Sequence, residues 1–138
     1  MDNKERIKEL FFNISMLLYV ASCIMPCLST RVERVIGFQC LLMGALSFIT
    51  DIWAFLIWSS NVLYITIVVN IFRGKDVRII LPVISSLLSL GMLFHKYLIY
   101  DTEVPIIVFH IGYYLWCASH LVLLLVCILK NIEENKSI

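Results

Sequence analysis

Apolar residues in this chain come in long unbroken blocks instead of recurring on one face of a helix. Leu10 to Leu28 carries no charged residue, and between Val35 and Phe72 the one charge is Asp51. A helix that is apolar all round has no wet face, so it belongs in lipid or deep inside a large protein. A chain of 138 residues cannot build a core that hides several such helices, which leaves the bilayer as the fitting solvent. Composition agrees: 61% of residues are hydrophobic and 15% charged, against roughly 45–50% and about 25% in soluble domains.

The blocks divide into four expected spans. The first covers 10–28, enough for a tilted crossing of a hydrocarbon core about 30 Å thick. The stretch after it is too long for one span, and Thr50-Asp51 divides it as a good N-cap for the following helix. The second span is therefore expected at 52–72, with a short helix over 37–49 that lies in the interface or re-enters the membrane. Arg73-Gly74-Lys75-Asp76 is a polar turn. The third span is expected at 78–100, with Pro82 near its start. The fourth is expected at 105–129, with Pro105 in its first turn, where a proline costs least. The fold class that follows is all-α: a single transmembrane domain over 1–138, built as an integral membrane four-helix bundle with one extra short helix.

An even number of spans puts both termini on one side. That side and the 73–78 turn carry Lys4, Arg6, Lys8, Arg73, Lys75, Arg78, Lys130 and Lys136; the other side has Arg31, Arg34 and Lys96. Cytoplasmic loops hold the excess of Lys and Arg, so both termini are expected in the cytoplasm, with the protein in the cell inner (plasma) membrane. Trp53, Tyr97 and Tyr100 then fall near the outer interface, where amphipathic aromatics collect. Val20-Ala21-Ser22-Cys23 has the form of a lipoprotein cleavage box, but the residues after Cys23 stay apolar instead of becoming a polar tether. An uncleaved first span is the expectation.

Polar groups inside a membrane are costly and mark function or packing. Asp51, His95, Lys96 and His110 form an expected outer cluster, the two histidines at matched depth on adjacent antiparallel helices. Such a pair could ligate a metal or haem, handle protons with Asp51, or anchor helix ends. The last reading needs no third ligand, so neither metal nor cofactor is expected. Tyr113, Cys117, His120 and Cys127 share one face of span four. His120 there is expected to bond a neighbouring helix, the alternatives being a proton relay or a thiol–imidazole redox site. Asn61, Ser85 and Ser89 are expected to pack helices together, because small and polar residues let backbones approach and bond. The five cysteines show neither a disulfide framework nor zinc-like spacing. A net charge of +1 gives no footprint for nucleic acid, and no motif identifies a small-molecule substrate.

The order of residues resembles a loose class of uncharacterised small four-span bacterial membrane proteins. The likeness rests on Pro26-Cys27, Gly37-Phe38-Gln39, Trp53-Ala54-Phe55 with Asn61, Arg73-Gly74-Lys75, and Gly112-Tyr113-Tyr114-Leu115-Trp116-Cys117-Ala118-Ser119. It covers most of the chain and implies four spans with an extra short helix. The class carries no assigned activity.

The function expected from all this is non-enzymatic. The chain would bind other membrane proteins or its own copies within the bilayer, as immunity proteins and membrane sensors of bacterial defence systems do. A small ion or proton channel and a haem- or thiol-based redox protein are the alternatives.

Overall fold

The computed structural model describes residues 3–31, 33–95, 97–99 and 103–136. In chain order the elements are α1 (Asn3–Ile24), β1 (Pro26–Thr30), β2 (Arg34–Ile36), α2 (Gly37–Leu46), α3 (Ile52–Phe72), α4 (Ile80–Gly91), a 3-10 turn (Met92–Phe94), β3 (Tyr97–Ile99), β4 (Glu103–Phe109) and α5 (Ile111–Lys136). The protein is mostly helical. Three of the described helices, Asn3–Ile24, Ile52–Phe72 and Ile111–Ile132, are long and apolar enough to cross a membrane. Only 17% of the apolar window in α1 is buried by the rest of the protein, so most of that apolar helix lies on the outside of the fold.

Side-chain pairs fix the directions of the helices. Phe12 meets Phe72, Ser15 meets Tyr64 and Tyr19 meets Asn61, so α1 and α3 run antiparallel. Ser60 meets Ser85 while Ile57 packs by Gly91, and Ser85 and Ser89 meet His120 and Cys117 in turn. Along the chain α1, α3, α4 and α5 therefore alternate in direction. The start of α1, the end of α5 and the α3–α4 turn lie at one end, where Lys130 Nζ reaches Asp76 Oδ1 at 3.2 Å.

The other end corrects the all-α expectation. A four-stranded antiparallel sheet in the order β2-β1-β4-β3 closes it. Leu28 pairs with Val35 on one side and Phe109 on the other, and Tyr97 pairs with Pro105. Span one, expected to run to Leu28, gives way after Ile24 to β1. Span four, expected from Pro105, begins as strand and becomes helix at Ile111. Pro105 is thus a strand proline, at a point where β4 has not yet reached its pairing with β1, which starts at Ile106.

The span expected over 78–100 is also shorter in the structure. α4 has 12 residues, about 18 Å at 1.5 Å per residue, and the chain then tightens into the 3-10 turn and turns extended at His95. β-branched and aromatic residues fit a pleated surface as well as a helix, and the sheet partners on β1 and β4 decide between the two. The short helix expected over 37–49 ends at Leu46, followed by turns.

Two glycines make the sheet end possible. A Cβ on Gly37 would collide with the Ser22 carbonyl oxygen, and one on Gly112 would sit 2.6 Å from the Pro26 carbonyl oxygen. The starts of α2 and α5 therefore approach the α1–β1 junction more closely than any side chain allows.

Candidate functional site

Between two apolar clusters the bundle holds a polar layer. On the terminal side pack Phe12, Tyr64, Ile67, Leu123, Val126 and Cys127; on the sheet side pack Cys27, Tyr113 and Cys117. Ser15, Ser60, Ser85, Ser89, Ser119 and His120 lie between them, none more than 2% exposed.

The layer is built from single-turn choices on each helix. Ser85 and Ser89 are one turn apart on α4, and Cys117 and His120 are one turn apart on α5, so the two edges face each other. Ser85 Oγ lies 2.8 Å from His120 Nδ1 and 3.1 Å from the Ser60 carbonyl oxygen, to which it donates. A hydroxyl has one proton, so with that proton on the carbonyl, His120 Nδ1–H donates to Ser85. Ser86 Oγ donates to the His120 carbonyl at 3.2 Å, and Tyr113 OH donates to the Ser89 carbonyl at the same distance. Cys117 Sγ points at that carbonyl too, at 3.5 Å. On the other flank Ser15 Oγ donates to the Ser119 carbonyl and lies 2.8 Å from Tyr64 OH.

Asn61 joins three helices. Its Oδ1 accepts from Tyr19 OH at 2.9 Å and from Trp116 Nε1 at 2.8 Å, while its amide donates to the Trp58 carbonyl. Tyr64, Trp116 and Tyr19 surround the His120 ring at centroid distances of 4.9, 5.2 and 6.4 Å. Within this shell His120 Nε2 and Ser60 Oγ are buried with no hydrogen-bond partner. The expected mid-membrane face of Tyr113, Cys117 and His120 is thus brought onto the packing residues Asn61, Ser85 and Ser89. Cys127 belongs instead to the apolar cluster beyond.

The outer polar residues divide. Asp51 Oδ2 lies 2.7 Å from His95 Nε2, with the two side chains 4% and 16% exposed. Asp51 Oδ1 caps α3 by accepting from the backbone of Trp53 and Ala54. His110 takes other partners: its Nε2 is 2.6 Å from Ser29 Oγ and its N–H donates to the Cys27 carbonyl. The two histidines expected at matched depth on adjacent antiparallel helices instead lie outside the helices, each with its own partner. His95 follows the 3-10 turn and His110 sits at the β4–α5 junction, each held by the loops that the sheet assembles. Lys96 lies outside the described residues. Among the described residues, no three His, Cys, Asp or Glu side chains converge as metal ligands would.

A cavity of about 130 Å³ lies between the sheet end of α1, β1, α2, α3 and the start of α5. Tyr19, Asn61 and Trp116 line it toward the polar layer, and Cys27, Cys40 and Asp51 line it toward the sheet end. Cys27 and Cys40 influence each other there: the Cys40 side chain pushes the Cys27 thiol up, and the Cys27 side chain holds the Cys40 thiol below the usual range. No motif in the sequence announces this cavity, because it forms where α2 folds back on the bundle. Trp58 Nε1 pins that fold by donating to the Leu41 carbonyl at 2.7 Å. A scan against family models and searches of curated proteins and of solved structures find no match for the chain.

Proposed function

We propose that this chain is a multi-pass membrane component that acts by binding other membrane proteins or its own copies. In this reading it crosses the bilayer four times with both termini in the cytoplasm, α4 completing its crossing through the 3-10 turn and the sheet. The observation that carries the reading is the use made of the polar groups within the bundle. Ser15, Asn61, Ser85, Ser86 and Tyr113 all bond across helices of the same chain. Those groups fasten the fold, so function falls to the outer surface. There α2 buries no residue of its own and exposes Phe38, Leu42 and Leu46. Immunity and defence-sensor roles work through such surfaces.

The test is the mass of the protein purified in mild detergent and in nanodiscs. A homo-oligomer or a co-purifying membrane protein is the expected result. A monomer that captures no membrane protein overturns the proposal.

A proton pathway is the second reading, favoured by the unpartnered Nε2 of His120 inside the bundle. An imidazole relays protons by taking one up on one ring nitrogen and releasing one from the other, where water reaches it. Proton flux in proteoliposomes that disappears in His120→Phe would support this reading over the first. Equal, background flux in both would dismiss it.

A further inference from the structure

All five cysteines are free thiols, and they are not scattered. Cys23, Cys27 and Cys40 line the cavity at the sheet end, and Cys117 packs against Cys27. Cys27 comes from β1 and Cys40 from the first turns of α2. We propose that Cys27 and Cys40 are a disulfide-forming pair that fastens α2 to β1 beside the cavity.

Three observations favour this pair over the others. The two side chains lie together: both line the cavity, and Cys40 packs against the cluster that holds Cys27. Cys117 is engaged elsewhere, with its Sγ on the Ser89 carbonyl. The two thiols also differ in access, since Cys27 is 8% exposed and Cys40 is only partly buried. An incoming oxidant meets Cys40 first. The neighbouring Cys27 side chain holds the Cys40 thiol below its ordinary range, and the thiolate is the nucleophile in disulfide exchange.

The oxidant is a disulfide, either of a thiol–disulfide oxidoreductase or of a low-molecular-mass thiol. The Cys40 thiolate attacks one of its sulfurs, and the S–S bond breaks to release the other sulfur as a thiolate. Cys27 then gives up its proton and attacks Cys40 Sγ, which releases the second thiol. Two cysteines lose two electrons and two protons, and the oxidant gains both as two thiols. The sheet end is the outer end by the Lys/Arg bias, the side on which disulfides persist. α2 has no buried residue of its own, so a covalent tie to β1 would hold it against the bundle.

The experiment uses the full chain in nanodiscs, incubated with oxidised glutathione and then mapped by peptide mass spectrometry. The expected product is a Cys27–Cys40 linked peptide, with an intact mass lowered by two hydrogens. Cys27→Ser should instead stop with glutathione retained on Cys40. Wild-type protein whose two thiols stay unreacted, that keeps glutathione on Cys40, or that links either cysteine to Cys23 or Cys117 overturns the proposal. The wild-type map decides the matter even where the serine variant fails to fold.

Discussion

Ser85 Oγ stands 2.8 Å from His120 Nδ1 and 3.1 Å from the Ser60 carbonyl oxygen, so one hydroxyl on the shortest bundle helix ties α3, α4 and α5 at a point. Each of those bonds is modest. Interhelical hydrogen bonds in bilayers average about 0.6 kcal/mol, because an unfolded chain in lipid also finds partners. What raises the stakes here is orphaning, since His120 already has one nitrogen without a partner.

Ser85→Ala should therefore cost more than an average bond, on the order of 1–3 kcal/mol for the buried groups it strands. Thr66→Ala is the control. Thr66 bonds only the Val62 carbonyl of its own helix on an exposed face, and its loss should stay within about 0.5 kcal/mol. Reversible unfolding in bicelles measures both. Equal losses would mean that the polar layer adds nothing beyond local packing.

Asp51 has two jobs, one per oxygen, and substitutions can separate them. Asp51→Asn keeps an acceptor for the α3 N-terminus but loses the carboxylate that faces His95 Nε2. Asp51→Ala loses both and should be worse by about 1 kcal/mol, the usual worth of an N-cap. His95→Ala should leave the cap untouched. If the alanine and asparagine variants prove equally stable, the cap is not what Asp51 supplies.

Gly112→Ala should destabilise by about 1–3 kcal/mol, the typical cost of forcing extra volume into a packed site. Its Cβ would meet the carbonyl oxygens of Met25 and Pro26, and backbone cannot rotate away. Gly91→Ala provides the contrast, because its nearest neighbour is Ile57 Cγ1 at an ordinary 3.5 Å. In a helix that change should be neutral or gain up to about 1 kcal/mol. Thermal unfolding of the two variants side by side checks the ordering.

Orientation is open to a labelling test in a variant stripped of other exposed thiols. Arg31→Cys, at the sheet end, should react with an impermeant maleimide on intact cells. Lys75→Cys, in the α3–α4 turn, should react only after permeabilisation. The opposite pattern would reverse the assignment made from the eight-to-three distribution of the chain's eleven Lys and Arg.

The apolar blocks and their punctuation were enough to reveal the helices that cross the bundle. α3 is the clearest case, since Asp51 marks its start and Arg73-Gly74 its end, and both signals act within a few residues. The choice of Asn61, Ser85, Ser89 and His120 as inward-facing groups was equally legible, because helical periodicity alone puts polar atoms on one face. The sheet was not legible. Runs such as Tyr97-Leu98-Ile99 and Val104 to Phe109 are apolar whether they form strand or helix, and periodicity cannot separate the two over so few residues. What made them strands was pairing at a distance: β4 lies on β1, whose Ser29 meets His110 across 81 positions of sequence, and β3 lies on β4. The same long-range closure gave His95 and His110 separate partners and set Cys27 beside Cys40. Local sequence determined which segments are helical and which faces are polar, because those follow from neighbours one to four residues away. Which loops pair, which thiols meet and where a cavity remains depended on contacts between distant segments, and only the tertiary structure decided them.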